Sequence, residues 1–228
     1  MKDTLKQLKG GLIVSCQSEG NDPFNTPEGV TLFAKAAQMA GAVAIRSEGI
    51  EKIRQIKKEV PLPMIGLLKG KFPDGTVKIT GSFQQVEQLI GLGCEIIAID
   101  GTDRIREGLT GHDFIASVKK NYPETIIMAD VAQFEEGIRC RDAGADCLST
   151  TLSGYTPDTS RVPDDAPDFE LLSKLSAAVE IPVICEGRIK SPAHAKTAME
   201  MGAYAVVVGT VITRPRVVMS WYKNAIEH

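Results

Sequence analysis

Ala40-Gly41-Ala42-Val43-Ala44-Ile45-Arg46 is the stretch that decides the fold, because its opening phrase returns as Ala143-Gly144-Ala145 and as Met201-Gly202-Ala203. Each copy leads from a helical pattern into an apolar run. Glycine at that place closes a helix in the left-handed conformation and lets a strand begin at once. Working outward, short apolar runs recur at residues 11–16, 42–46, 63–69, 95–100, 125–130, 145–150, 182–186 and 205–209. Most are continuously hydrophobic, as parallel strands covered on both faces are. Between them lie helical periodicities such as Val30, Phe33, Ala34, Ala37 and Phe83, Val86, Leu89, Ile90. Ser82 and Ser191-Pro192 start helices, and Gly41, Gly93, Gly144 and Gly202 stop them.

A β-α unit repeated eight times in 228 residues predicts an α/β fold, a single (β/α)8 TIM barrel spanning 1–228 as one catalytic domain. A doubly wound sheet would carry a glycine-rich turn after its first strand, whereas Cys16-Gln17-Ser18 follows here. Residues 156–168, rich in Pro and Asp, read as one long loop after the sixth strand, where function often resides. The opening MKDTLKQLKGG reads as a short surface helix and lacks a signal-peptide core.

Composition removes several classes of function. A net charge of −3 leaves no broad basic field, so no nucleic-acid partner is expected. No apolar run reaches the length of a membrane span, so no membrane partner is expected either. The five cysteines (Cys16, Cys94, Cys140, Cys147 and Cys185) form no C-x-x-C pair and lie in or near apolar runs. They read as small buried hydrophobes in a reducing, cytoplasmic setting.

In a barrel of this kind chemistry sits at the C-terminal ends of the strands. Those ends carry Gln17, Arg46, Lys69, Asp100, Asp130, Thr150-Thr151, Glu186 and Gly209-Thr210. Charges that end apolar runs must be paired or used. Lys69 against the wall of residues 63–68 is a candidate desolvated amine, and the plainer alternative makes it the start of a solvated loop with Lys71. Glu186 is a candidate general acid or base, and the plainer alternative is a salt bridge to Arg188. Gly187, Arg188, Gly209 and Thr210, after the last two strands, suggest a phosphate cup built from backbone N–H groups. The three histidines, His112, His194 and His228, end no strand, so no metal site is expected.

In these residues and the phrases around them, the chain resembles the N-acetylmannosamine-6-phosphate 2-epimerase (N-acylglucosamine-6-phosphate 2-epimerase) family of bacterial sialic acid catabolism. The resemblance rests on Gly11-Leu12-Ile13-Val14-Ser15-Cys16-Gln17, Gly41-Ala42-Val43-Ala44-Ile45-Arg46, Ile96-Ile97-Ala98-Ile99-Asp100-Gly101-Thr102 and Met128-Ala129-Asp130. It continues in Thr150-Thr151-Leu152-Ser153-Gly154-Tyr155-Thr156, Glu186-Gly187-Arg188 and Ile212-Thr213-Arg214-Pro215. It implies an isomerase that interconverts N-acetylmannosamine 6-phosphate and N-acetylglucosamine 6-phosphate, with no metal and no organic cofactor. It further implies catalytic roles for Lys69 and Glu186 and sugar binding by Gln17, Arg46, Asp130 and Arg214, with Tyr155 among the substrate contacts. The family usually follows its lysine with Arg-Asp. Here Gly70-Lys71-Phe72 follows, which leaves open how that loop closes over the sugar.

Two rivals remain at this stage: a Schiff-base aldolase using Lys69, and a barrel without catalysis that serves as a sensor or scaffold. The last helical stretch, 215–226, predicts Val217, Val218, Trp221 and Tyr222 on one apolar side; a homodimer is expected to cover it, and the plainer alternative is that this side packs on the barrel.

Overall fold

The computed structural model describes residues 3–73, 75–160 and 166–227. Its barrel strands are β1 (Leu12–Cys16), β2 (Ala44–Glu48), β3 (Met64–Leu67), β6 (Ile96–Asp100), β7 (Ile126–Asp130), β8 (Cys147–Ser149), β9 (Val183–Glu186) and β10 (Ala205–Val208). They pair in parallel in chain order, and β10 returns to β1 to close the barrel. The intervening helices are α2 (Pro27–Met39), α3 (Ile50–Glu59), α4 (Phe83–Gly91), α5 (Gly111–Asn121), α6 (Phe134–Asp142), α7 (Phe169–Ala178) and α8 (Pro192–Glu200). A short α9 (Thr210–Thr213) and a final α10 (Pro215–Glu227) follow the last strand.

The repeated phrase behaves as its sequence predicts. Gly41, Gly144 and Gly202 take φ of +83°, +95° and +98°, ending α2, α6 and α8 just before the next strand. Ser82 and Ser191 cap α4 and α8 by accepting from the amides of Gln85 and His194.

Alternation along each strand makes two cores. Ile97 and Ile99 of β6 pack outward with the helices, whereas Ile96 and Ala98 fill the barrel with Ile13, Ile65, Met128 and Ile184. Gly66 of β3 faces outward where a Cβ would lie 2.4 Å from Cys94 Sγ, so only glycine lets α4 sit so close. The inward parity continues past the apolar residues. Ser15, Arg46, Asp130 and Glu186 occupy the next inward positions of β1, β2, β7 and β9 at one end of the barrel, and Gln17 follows directly after β1.

Three sequence expectations are corrected here. Residues 3–8 form α1 (Asp3–Leu8), but it is no surface helix. Leu5 and Leu8, 2% and 0% exposed, plug the barrel interior. The run 63–69 is not one strand: β3 ends at Leu67, and Lys69 opens an antiparallel hairpin, β4 (Lys69–Lys71) with β5 (Val77–Ile79). On α10 the stripe open to solvent is Met219, Tyr222 and Ile226, while Val217, Val218 and Trp221 are half-buried. The 156–168 loop contains a 3-10 turn at Pro157–Thr159, and residues 161–165 and His228 lie outside the described residues.

Candidate active site

The barrel mouth opens into a cavity of about 560 Å³, a size that suits a small ligand. Its floor is Arg46, a guanidinium 1% exposed that donates from Nη1 to Asp130 Oδ1 at 3.1 Å and from Nη2 to Oδ2 at 2.6 Å. Glu186 stands beside it, Oε2 at 3.2 Å from Arg46 Nη1. Burial alone would lower the arginine's pKa, but the Asp130 and Glu186 carboxylates more than reverse it, so the charge is permanent. The expected alternative partner of Glu186, Arg188, is engaged elsewhere.

Thr151 joins the two carboxylates. Its hydroxyl lies 2.7 Å from Asp130 Oδ1 and 3.1 Å from Glu186 Oε2, with Ser149 Oγ at 2.8 Å behind it. Thr150 accepts from the Glu186 amide and donates to the Glu186 carbonyl, which fixes the strand end. Burial, with the Asp130 charge adding to it and Arg46 opposing, raises the Glu186 carboxyl to about 6. A carboxyl with that value changes protonation near neutral pH, as proton transfer requires.

Across the cavity Lys69 Nζ is ion-paired with Glu19, and the same Glu19 oxygen accepts from Arg214 Nη2 at 2.9 Å. Burial would raise the Glu19 carboxyl, but Lys69 and Arg214 hold it below its ordinary value. Arg214 also donates from Nε to the Gln17 carbonyl at 3.1 Å, and Gln17 Nε2 donates to Ser15 Oγ at 2.9 Å. Thr213 Oγ1 donates to the Ser15 carbonyl at 2.8 Å, which ties α9 to the end of β1. Sequence reasoning missed Glu19. It lies in the loop after β1, where no strand periodicity marks which way a side chain faces.

Gly187, Arg188, Gly209 and Thr210 line the same cavity, together with Lys190 and Trp221. Gly187 and Arg188 turn sharply, at φ +104° and +55°. The Arg188 side chain donates to the carbonyls of Ser153 at 2.7 Å and Ala166 at 3.2 Å and lies 5.1 Å from the Tyr155 ring centre. Tyr155, 57% exposed, thus stands at the rim with Arg188 beneath it. Lys190 Nζ lies 5.2 Å from the Trp221 ring centre, a basic group that the strand-end reading also missed.

Asp100 departs from the other charged strand ends. It is fully buried and accepts from the Thr102 amide and hydroxyl, from Arg104 and from Arg106. His112 and His194 are on α5 and α8 and do not line the cavity; His194 Nδ1 accepts from the Lys190 amide at 3.3 Å behind it. Among the described residues, no three His, Cys, Asp or Glu side chains gather as a metal site would require. The cysteines are free; burial pushes the Cys16, Cys94, Cys140 and Cys185 thiols up to about 12, which removes them as nucleophiles.

Residues 30–228 match the family described as "Putative N-acetylmannosamine-6-phosphate epimerase". The chain belongs to this family. Among its relatives, a "Putative N-acetylmannosamine-6-phosphate 2-epimerase" of Caldanaerobacter subterraneus is 45% identical over 93% of this chain and 90% of its own length. One of the same description from Clostridioides difficile is 42% identical over 98% of this chain and 99% of its own. The solved N-acetylmannosamine-6-phosphate 2-epimerase from Clostridium perfringens superposes with a TM-score of 0.89 at 40% identity, covering 98% of this chain and 96% of that one. A thiamine phosphate pyrophosphorylase from Pyrococcus furiosus, 18% identical with a TM-score of 0.61 over 92% of this chain and 90% of its own, shares the fold alone. Membership of the epimerase family removes both the aldolase and the scaffold alternatives.

Proposed function

We propose that this epimerase-family chain is an isomerase that interconverts N-acetylmannosamine 6-phosphate and N-acetylglucosamine 6-phosphate by removing the C2 proton and returning it on the opposite face. The observation that carries the reading is that two proton-transfer groups, Lys69 and Glu186, line one cavity whose floor is a permanently charged arginine. In the open-chain sugar C2 lies next to the C1 aldehyde. Loss of its proton leaves an enolate with charge on O1, and Arg46 or Arg214 can stabilise that charge. Gln17 and Tyr155 hold the sugar, Asp130, buried behind the cavity lining, holds the Arg46 guanidinium in place rather than the sugar itself, and Gly187, Arg188, Gly209 and Thr210 hold the phosphate.

In this reading a neutral Lys69 removes the C2 proton and, once the enolate has turned its other face to the amine, returns it, while Glu186 moves the proton between O1 and the ring oxygen during opening. A lysine must lose its proton before it acts as a base, so the Lys69–Glu19 pair has to give way. That ion pair favours a second division of labour, in which Glu186 is the carbon base and the Lys69 ammonium is the acid. Turnover in D₂O separates the two. With Lys69 as the carbon base, Lys69→Ala abolishes both epimerisation and deuterium entry at C2, a loss of at least about 10²-fold. Glu186→Gln then keeps C2 exchange on a substrate held open-chain. The opposite pattern assigns the carbon base to Glu186. Near-normal epimerisation by both variants would remove the whole proposal.

Cytoplasmic residence accords with the free cysteines, four of them buried and Cys94 half-buried. A homodimer accords with the exposed stripe of Met219, Tyr222 and Ile226, which a second copy would cover.

A further inference from the structure

The β4–β5 hairpin begins at Lys69, and its Thr76, Val77 and Ile79 line the cavity. Its neck is narrow. The Thr80 amide donates to the Leu68 carbonyl at 2.8 Å, and the Leu68 amide donates to Thr80 Oγ1 at 3.2 Å. Thr80 itself takes φ +48°, a left-handed conformation that a β-branched residue adopts only under constraint. Two strands of three residues on such a neck do not hold their own position.

Besides Glu19, which pairs with Lys69, another side chain from the barrel reaches across to this hairpin. Arg104, in the loop after β6, donates from Nη1 to Thr76 Oγ1 at 3.1 Å and from Nη2 to the Val77 carbonyl at 3.3 Å. Its guanidinium carbon lies 4.6 Å from the centre of the Phe72 ring. On the barrel side Nη2 meets Asp100 Oδ2 at 2.5 Å and Nε meets Thr102 Oγ1 at 3.0 Å. The anchor is rigid, because the same buried Asp100 carboxylate also accepts from the Thr102 amide and from Arg106.

We infer that Arg104 is a positioning residue that pins the β4–β5 hairpin to the barrel rim and thereby sets where Lys69 stands over the cavity. Arg104 is absent from the cavity lining, so it acts through the hairpin and not on the sugar. The inference also accounts for Gly70-Lys71-Phe72, since Phe72 offers its ring to the guanidinium. The planar five-donor fork meets four acceptors on hairpin and barrel at once, more than the three donors on the single nitrogen of an ammonium can serve.

The test compares Arg104→Ala, Arg104→Lys and Phe72→Leu with the unaltered chain, by amide hydrogen exchange over residues 69–80 and by steady-state kinetics. The kinetic arm rests on the proposed epimerase reaction; the exchange arm does not. Arg104→Ala is expected to raise hairpin exchange about tenfold, leave β7 unchanged, and lower kcat about 10- to 100-fold with a smaller change in KM. Arg104→Lys should rescue neither effect. Phe72→Leu, which leaves the Asp100–Arg104 pair whole, should move both readouts in the same direction by less, and it carries the test should Arg104→Ala fail to fold. Unchanged hairpin exchange, or a loosened hairpin with normal kcat, overturns the inference. An unaltered chain without epimerase activity would instead overturn the proposed reaction, and hairpin exchange alone would then decide whether Arg104 is the pin.

Discussion

At Glu186 the same burial that suits proton transfer costs stability. Its carboxyl lies at about 6 in the fold, against an ordinary 4.5. Between those values the folded state keeps a proton that the unfolded chain has released. The group's stabilising contribution is therefore complete below pH 4.5 and is lost as pH rises through about 6. Glu186→Gln should flatten that part of the curve of melting temperature against pH, and an unchanged slope would contradict the burial assigned to this carboxyl. Activity that needs the carboxylate form should climb over the same interval. Arg46, Asp130 and Glu186 were legible in the sequence, because a period-2 strand dictates which side each of its residues faces, and Gln17 because it stands directly after the first apolar run. Glu19 was not, because its partners Lys69 and Arg214 are distant in the chain and only the closed barrel brings them to one oxygen.

At the scale of elements, the eight strands and their helices were legible from periodicity and from the glycine stops. The exceptions share a cause. Residues 63–69 look uniform because Leu68 continues the apolar pattern up to the charge, yet the Leu68 and Lys69 backbone leaves β3 and pairs with Thr80 and Ile79 instead. Apolar periodicity does not reveal a change of hydrogen-bond partner. For α1 the sequence offers two leucines three apart, too little to separate a surface helix from a plug. The tertiary contacts decide it, since Leu5 and Leu8 meet the inward residues of the barrel. Leu8→Ala should lower stability by about 2–5 kcal/mol in urea denaturation. It should leave kcat unchanged, because the plug is at the barrel end opposite the mouth. A kcat loss matching the stability loss would mean that floor and mouth are coupled.

For the molecule as a whole, the surface of α10 poses the remaining question. Met219, Tyr222 and Ile226 are 67%, 70% and 84% exposed, and Met39 at 89% and Leu32 at 61% are exposed on α2. If a second copy covers the α10 stripe, mass measurement in solution at micromolar concentration should find a dimer, and charged substitutions at Met219 and Tyr222 should give monomers. A monomeric mass for the unaltered chain would remove the homodimer. The sequence predicted which side of α10 was apolar only in part, because a helix with apolar residues around much of its girth does not declare which of them the barrel takes. By itself the sequence determined the barrel, the end at which its polar residues gather and the inward parity of most site residues, since these follow from local periodicity and chirality. Only the tertiary structure decided the Arg46–Asp130–Glu186 floor, the Glu19 bridge and the Arg104 contact with the hairpin. Each joins residues from different β-α units, and no local pattern records a contact that exists only once the barrel has closed.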